Sequence, residues 1–209
     1  MEEPLRYMAL GDSYTIGTGA SDDSHAWPSI IASRLAGATG REVALTNPAV
    51  NGFTTDDLIQ HELPQARGLK PHFATILIGV NDLVRGKTPN RYQANLTRIY
   101  DDLAATVRAA GLIAAVSIPV WSYTPAAADF GGADHVARAT TAFNAVAETE
   151  AVGRGFTWID IGEASQSGVG NPSWLASDNL HPGDAQYAAW ADAIWEALRD
   201  SWTAAASSS

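Results

Sequence analysis

The sequence of 209 residues contains no cysteine, which excludes thiol nucleophiles, cysteine-ligated zinc and redox dithiols. Histidine is also scarce, with five residues. His61-Glu62 lacks the second histidine of a zinc-binding helix. We therefore predict no metal site, and we expect structural roles for His25, His61, His72 and His135.

Basic residues are few as well, with 13 lysines and arginines against 23 acidic residues and a formal net charge of −10. Binding to a nucleic-acid backbone depends on a basic patch, so this balance works against a nucleic-acid partner. It equally disfavours an anionic membrane surface.

Long apolar runs are missing too. The longest runs, such as Ile76–Ile78, are far too short to span a bilayer. The acidic start Met1–Pro4 does not have the pattern of a secretory signal. We predict no membrane span and a cytoplasmic location, and we expect residues 204–209, which are small and polar, to be disordered.

Residues 1–203 alternate short apolar runs with longer amphipathic stretches, and we expect them to form one domain. The predicted strands are Tyr7–Leu10, Val43–Leu45, Phe73–Ile78, Leu112–Val120 and Phe156–Ile161. The predicted helices are Trp27–Leu35 closed by Gly37, Arg91–Ala110 ending at Gly111, His135–Val152, and Asp184–Arg199. This alternation predicts an α/β fold with a mainly parallel five-stranded sheet between helices.

Chemically useful groups follow the predicted strands. In a parallel sheet ligands bind beyond the carboxyl ends of the strands. The segments at these positions are Gly11-Asp12-Ser13, Asn51-Gly52, Gly79-Val80-Asn81-Asp82 and Trp121-Ser122-Tyr123. They bring a hydroxyl, glycine N–H groups, a carboxamide and an aromatic ring to one edge, as acyl transfer requires.

The segment Ser177–Gly183 supplies the missing base. Pro182 biases His181 away from helical geometry and is well placed to start the last helix. Asp178 lies one turn upstream, so it can bond one imidazole nitrogen and leave the other for a serine hydroxyl.

These segments resemble, in order, the four sequence blocks of the SGNH (GDSL-type) esterase and lipase family. The matching blocks are Gly11-Asp12-Ser13, Gly52, Gly79-Val80-Asn81-Asp82 and Asp178-Asn179-Leu180-His181-Pro182. Each block alone is weak, but four in order across nearly the whole chain are specific. Tyr14 departs from the leucine of the family's namesake motif, at a position that is not catalytic in the family.

The resemblance implies a three-layer α/β/α fold, a serine ester hydrolase and no cofactor. By resemblance, Ser13, His181 and Asp178 form the catalytic triad. The oxyanion hole would use the backbone N–H groups of Ser13 and Gly52 and the Asn81 amide. We expect the side chains of Asp12 and Asp82 to stabilise their turns through hydrogen bonds to nearby backbone groups.

Each of these residues also has a simpler interpretation. Ser13 alone would be a turn serine, and His181 a helix-capping histidine. Asp178, Asn81 and Gly52 could each only stabilise the conformation of the loop that contains them.

Two other motifs fail. Asp22 replaces the third glycine of a dinucleotide fingerprint that begins at Gly17. The phosphate-loop pattern of Gly86-Lys87-Thr88 lacks its leading glycine. No G-x-S-x-G elbow is present.

For the substrate pocket we select Tyr14, Trp121, Trp174 and Leu180, and we expect Trp121 or Trp174 to line it. The predicted substrate is a small, short-chain acyl ester, since the sequence offers no obvious lid. A carbohydrate O-acetyl ester or a lysophospholipid would use the same residues. The alternatives from other classes are a catalytically silent ligand-binding module on this fold and, more distantly, a nucleotide-binding module.

Overall fold

A computed structural model describes residues 3–208 and contains one five-stranded parallel sheet. The strands are β1 (Leu5–Gly11), β2 (Val43–Thr46), β3 (Phe73–Leu77), β4 (Ile113–Val116) and β5 (Thr157–Ile159). Their order across the sheet is β2-β1-β3-β4-β5. The predicted α/β fold with a five-stranded parallel sheet is therefore confirmed.

Eight α-helices cover the two faces of the sheet in the described residues. They are α1 (Ser13–Ile16), α2 (Trp27–Thr39), α3 (Thr55–His61), α4 (Leu63–Leu69), α5 (Val80–Val84), α6 (Pro89–Thr106), α7 (Ala133–Val152) and α8 (Asp184–Ala206). Helix α2 packs on α8, whereas α6 packs on α3, α4 and α7. The result is the expected three-layer arrangement.

The sheet is buried between these layers. All five residues of β3 are buried, as expected for a strand covered on both faces. Tyr7 of β1 and Phe73 of β3 pack against Trp202 of α8, with ring centroids 5.4 and 4.7 Å from that indole. The last turns of α8 are thus part of the core.

The predicted ends of α2 and α6 are wrong. Helix α2 continues through Gly37, where an added Cβ would point into open space, and ends at Gly40 in the left-handed conformation. Helix α6 stops at Thr106 because Val107 adopts an extended conformation. Gly111 lies instead in a short 3₁₀ turn before β4.

The expectation of a disordered tail at residues 204–209 is also wrong for residues 204–206. Helix α8 runs seven residues past Arg199 and ends at Ala206, which is buried. The Arg41 guanidinium donates a hydrogen bond of 2.8 Å to the carbonyl of Ala206 and holds this end. Ser209 lies outside the described residues.

Within residues 3–208, no helix has both the length and the apolar character needed to cross a membrane.

Candidate active site

Ser13 is the first residue of α1, directly beyond the carboxyl end of β1. The carboxylate of Asp12 caps this short helix by accepting a hydrogen bond of 3.1 Å from the Tyr14 N–H. A Cβ at Gly11 would lie 2.2 Å from Thr15 Oγ1 and 2.3 Å from the carbonyl oxygen of Leu77. Only glycine therefore permits the close turn that presents Ser13.

Asp178 and His181 form a tight hydrogen-bonded unit in the loop before α8. Asp178 Oδ2 lies 2.5 Å from His181 Nδ1. Asp178 Oδ1 accepts hydrogen bonds from the N–H groups of Leu180, at 3.0 Å, and His181, at 2.9 Å. Asn179 between them adopts a left-handed conformation, with φ of 60°. Asp178 thus fixes both the ring and the backbone of His181.

Contacts from the rest of this loop and from the segment after α1 hold the Asp178–His181 unit in place. The Ala176 N–H donates to the His181 carbonyl at 2.8 Å, and Leu175 pairs with Pro182 as an isolated antiparallel bridge. Gly19 packs so closely that a Cβ there would lie 2.5 Å from the carbonyl oxygen of Pro182. The segment after α1 therefore packs against the loop that carries His181.

Ser13 and His181 line the same cavity of about 260 Å³. Ser13 is 7% exposed, and its hydroxyl forms no hydrogen bond with any residue that the structure describes. In ligand-free enzymes the nucleophile–base hydrogen bond is often long and tightens when substrate binds. The two groups, 168 positions apart in sequence, thus face one space.

The predicted oxyanion donors line this cavity as well. The backbone N–H groups of Ser13 and Gly52 donate to no described residue. Arg85 holds the Gly52 loop by donating to the Gly52 carbonyl at 2.8 Å. The amide of Asn81, in contrast, donates to the Phe53 carbonyl at 3.0 Å and to Asp12 Oδ2 at 3.3 Å.

Of the four residues selected for the pocket, three line the cavity: Tyr14, Trp121 and Leu180. The Tyr14 ring meets the His181 imidazole edge-on, with centroids 5.9 Å apart. Trp174 does not line it. Its indole N–H donates to the Ser165 carbonyl and the Tyr123 hydroxyl, so it anchors the loop that carries the histidine.

Burial and hydrogen bonds shift the pKa values of carboxyl groups around the site. Burial works to raise the pKa of Asp178, but hydrogen bonds from His181 and from the Leu180 N–H lower it overall. Burial raises the pKa of Asp12 to about 7 and that of Glu62 to about 8. Asp178 is therefore ionised at neutral pH, whereas the other two retain protons into the neutral range.

Glu62 was not predicted from the sequence as part of the site, and the partners predicted for Asp82 are wrong. Glu62 is buried between α3 and α4, and it accepts a hydrogen bond of 3.0 Å from the Gly11 N–H. Asp82 bonds the N–H and hydroxyl of Thr55, at the start of α3, rather than local backbone. Lys87, from the rejected phosphate-loop pattern, forms an ion pair with Asp82 at 3.0 Å.

Comparisons with known proteins identify a family for this chain. The sequence model of the GDSL-like Lipase/Acylhydrolase family matches residues 9–189. A search of curated proteins finds no significant match.

Solved structures share the fold. TesA is 23% identical over 93% of this chain and 98% of its own, with a TM-score of 0.71. The acetylxylan esterase Axe2 from Geobacillus stearothermophilus is 19% identical over 97% of this chain and 98% of its own, with a TM-score of 0.74. A putative GDSL-like lipase from Parabacteroides merdae is 16% identical over 95% and 97%, with a TM-score of 0.78.

The family match covers most of the chain and includes every block that suggested the resemblance. The chain therefore belongs to the GDSL-like Lipase/Acylhydrolase family and is a carboxylic ester hydrolase.

Proposed function

We propose that this protein hydrolyses small, short-chain acyl esters through a covalent acyl-enzyme, with Ser13 as nucleophile, His181 as general base and Asp178 orienting the base. The shared cavity carries this proposal, because Ser13 and His181 both line it. Asp178 engages Nδ1 of the imidazole, which leaves Nε2 to take the proton of the hydroxyl.

The proposed reaction has two steps, acylation of Ser13 and hydrolysis of the acyl-enzyme. Ser13 Oγ bonds to the ester carbonyl carbon while its proton passes to His181 Nε2. The bond to the alcohol oxygen then breaks, and the alcohol leaves with that proton. Water next attacks the acyl-enzyme, gives a proton to His181, and releases the acid as Ser13 regains its proton.

The N–H groups of Ser13 and Gly52 would bind the oxyanion of each intermediate, and both are free of other partners in the described structure. We propose that Asn81 joins them by exchanging its longer hydrogen bond, to Asp12, for the oxyanion. The raised pKa of Asp12 favours this exchange, since a neutral carboxyl accepts a weaker hydrogen bond than a carboxylate.

The size and lining of the cavity support a small acyl group. Its 260 Å³ equals the volume of about nine water molecules at about 30 Å³ each. Val80, Val84 and Phe130 supply apolar walls. A short aliphatic acyl chain beside Ser13 would therefore pack against apolar side chains and would require no hydrogen-bond partner.

The decisive assay is the steady-state hydrolysis of 4-nitrophenyl acetate by wild type, Ser13→Ala and Ser33→Ala. Ser33 is exposed on α2 and serves as the matched serine control. We expect Ser13→Ala to lose at least about 10³-fold in kcat, because no acyl-enzyme can form, and Ser33→Ala to match wild type. Wild-type turnover by Ser13→Ala would refute the proposed nucleophile.

The same assay addresses the alternative of a silent ligand-binding module. That alternative predicts no turnover by wild type on any ester in a series of increasing acyl length. The proposed hydrolase predicts turnover that is highest for the shortest acyl groups, because the cavity is small.

A further inference from the structure

The loop after β2 contains the only Asn-Gly pair of the sequence, Asn51-Gly52. In such a pair the backbone nitrogen of the glycine can attack the side-chain carbonyl carbon of the asparagine, because glycine has no side chain that hinders the approach. The reaction is intramolecular, so its two partners are always close together. In this protein the attacking nitrogen is the one that carries the Gly52 N–H, a predicted donor of the oxyanion hole.

The two nitrogens that take part in this reaction have no partners in the described structure. Neither the Gly52 N–H nor the side-chain amide nitrogen of Asn51 donates a hydrogen bond to a described residue. The loop is held through other atoms, since the Phe53 N–H donates to the Val50 carbonyl at 3.1 Å and Arg85 donates to the Gly52 carbonyl at 2.8 Å. Asn51 is exposed, so water reaches the reacting groups.

A hydrogen bond also activates the carbonyl group that is attacked. The Thr18 hydroxyl donates to Asn51 Oδ1 at 2.5 Å. The attack places negative charge on this oxygen, and a donor already directed at the oxygen stabilises that charge. The space beside Gly52 is open, because an added Cβ would have only Arg85 Nη2 nearby, at 3.5 Å. The loop therefore combines an activated carbonyl with an unhindered nitrogen.

Asn179 provides a contrast in the loop that carries His181. It is exposed like Asn51, but the residue that follows it is leucine. The Leu180 N–H donates to Asp178 Oδ1 at 3.0 Å, so its nitrogen is engaged. The side chain of Leu180 and this hydrogen bond both oppose ring closure. Of these two exposed loop asparagines, only Asn51 has the environment that the reaction requires.

We propose that Asn51-Gly52 is a self-modification site whose deamidation inactivates the enzyme. The Gly52 nitrogen bonds to Asn51 Cγ, the bond from Cγ to the side-chain nitrogen breaks, and that nitrogen leaves as ammonia with the proton of the Gly52 N–H. The cyclic imide has no N–H at Gly52, so the oxyanion hole loses one donor. Water then opens the ring at either carbonyl and leaves aspartate or isoaspartate.

Isoaspartate restores the N–H but lengthens the backbone by one carbon before Gly52, which moves the N–H away from Ser13. The imide and the isoaspartate forms are therefore the inactive ones. This inference rests on the proposed function, because the loss of activity follows from the role of the Gly52 N–H as an oxyanion donor.

The first test stores wild type at mildly alkaline pH and follows the hydrolysis of 4-nitrophenyl acetate. Peptides from the same samples are separated by chromatography and identified by mass. We expect the fraction of activity lost to equal the fraction of Asn51 found as imide or isoaspartate, while the Asn179 peptide stays unmodified. The control is Asn51→Gln, which would need a six-membered ring. It should lose its own starting activity at least about tenfold more slowly than wild type.

Occupation of the oxyanion hole gives a second readout. A fluorophosphonate adduct on Ser13 places a phosphoryl oxygen where the oxyanion would form, and this oxygen would accept the Gly52 N–H. We expect Asn51 to deamidate at least about fivefold more slowly in this adduct than in free wild type. Ser13→Ala treated with the same reagent should gain no protection.

The outcomes separate the two proposals. If fresh wild type shows no Ser13-dependent hydrolysis, the proposed function fails, and the mass measurement still reports whether Asn51 deamidates. If that hydrolysis is present, three results would overturn the inference. They are a decline in activity while Asn51 stays intact, accumulation of the imide and isoaspartate without a decline, and a decline in Asn51→Gln as fast as in wild type.

Discussion

At the scale of single residues, Asp178 performs two tasks that mutagenesis can separate. It holds the imidazole of His181 through Oδ2 and the backbone of the same residue through Oδ1. The lowered pKa of Asp178 keeps it ionised at neutral pH, so it is suited to stabilise the imidazolium that the proposed attack of Ser13 would form.

We predict that Asp178→Asn lowers kcat for 4-nitrophenyl acetate by roughly 10³- to 10⁴-fold with little change in KM. An asparagine amide favours the tautomer whose proton sits on Nε2, and that nitrogen can then take no proton from Ser13. The control is Asp22→Asn, because Asp22 forms a similar aspartate–histidine pair with i,i+3 spacing, with His25 at 3.2 Å. A loss of less than tenfold in Asp178→Asn, or an equal loss in Asp22→Asn, would count against the assigned role.

At the scale of elements, hydrophobic patterning predicted all five strands and their α/β context. All residues of strand β3 are β-branched or apolar, and such a short run has few alternative secondary-structure assignments. The short helices α3, α4 and α5 were missed because each spans only five to seven residues. A signal for α3 did exist, since Thr54 and Asp57 form a reciprocal capping box.

The residues of the candidate site could likewise be predicted only in part. Residues at strand ends could be predicted to share an edge, because topology alone brings them together. The buried position of Glu62 could not be predicted, since a glutamate between two helices is normally solvated. Trp174 was misassigned because sequence distance from the triad loop does not show which way a side chain points.

Helix α8 gives an element-scale prediction. Deleting residues 202–209 removes Trp202, which is fully buried against Tyr7 and Phe73. We expect the free energy of unfolding to fall by about 3–5 kcal/mol, as for other buried tryptophans, when urea unfolding is monitored by circular dichroism. Deleting only residues 207–209 should leave it nearly unchanged. Equal stability of the two truncated chains would show that the last turns of α8 are dispensable.

At the scale of the whole molecule, buried carboxyl groups link folding to pH. Burial raises the pKa of Glu62 from 4.5 to about 8, and the nearby Asp12 adds to this shift. The folded protein therefore binds more protons than the unfolded chain between these values. The contribution of Glu62 to stability is fully present below pH 4.5 and is lost as pH rises towards about 8.

We predict that Glu62→Gln removes part of this dependence. The stability difference between wild type and variant should change by up to about 1.4 kcal/mol per pH unit between pH 5 and 8, to the disadvantage of wild type at high pH. Urea unfolding at pH 5 and at pH 8 measures this stability difference. The control is Glu42→Gln, because Glu42 is exposed. Parallel pH profiles for wild type and Glu62→Gln would contradict the protonated state of Glu62.

The central claim joins the two ends of the chain, since Ser13 follows the first strand and His181 precedes the last helix. Covalent labelling with a fluorophosphonate, followed by intact and peptide mass measurement, tests it most directly. We predict a single adduct on Ser13, no adduct in Ser13→Ala, and labelling slowed at least about 10²-fold in His181→Ala. Labelling of another residue, or an unchanged rate in His181→Ala, would contradict the account.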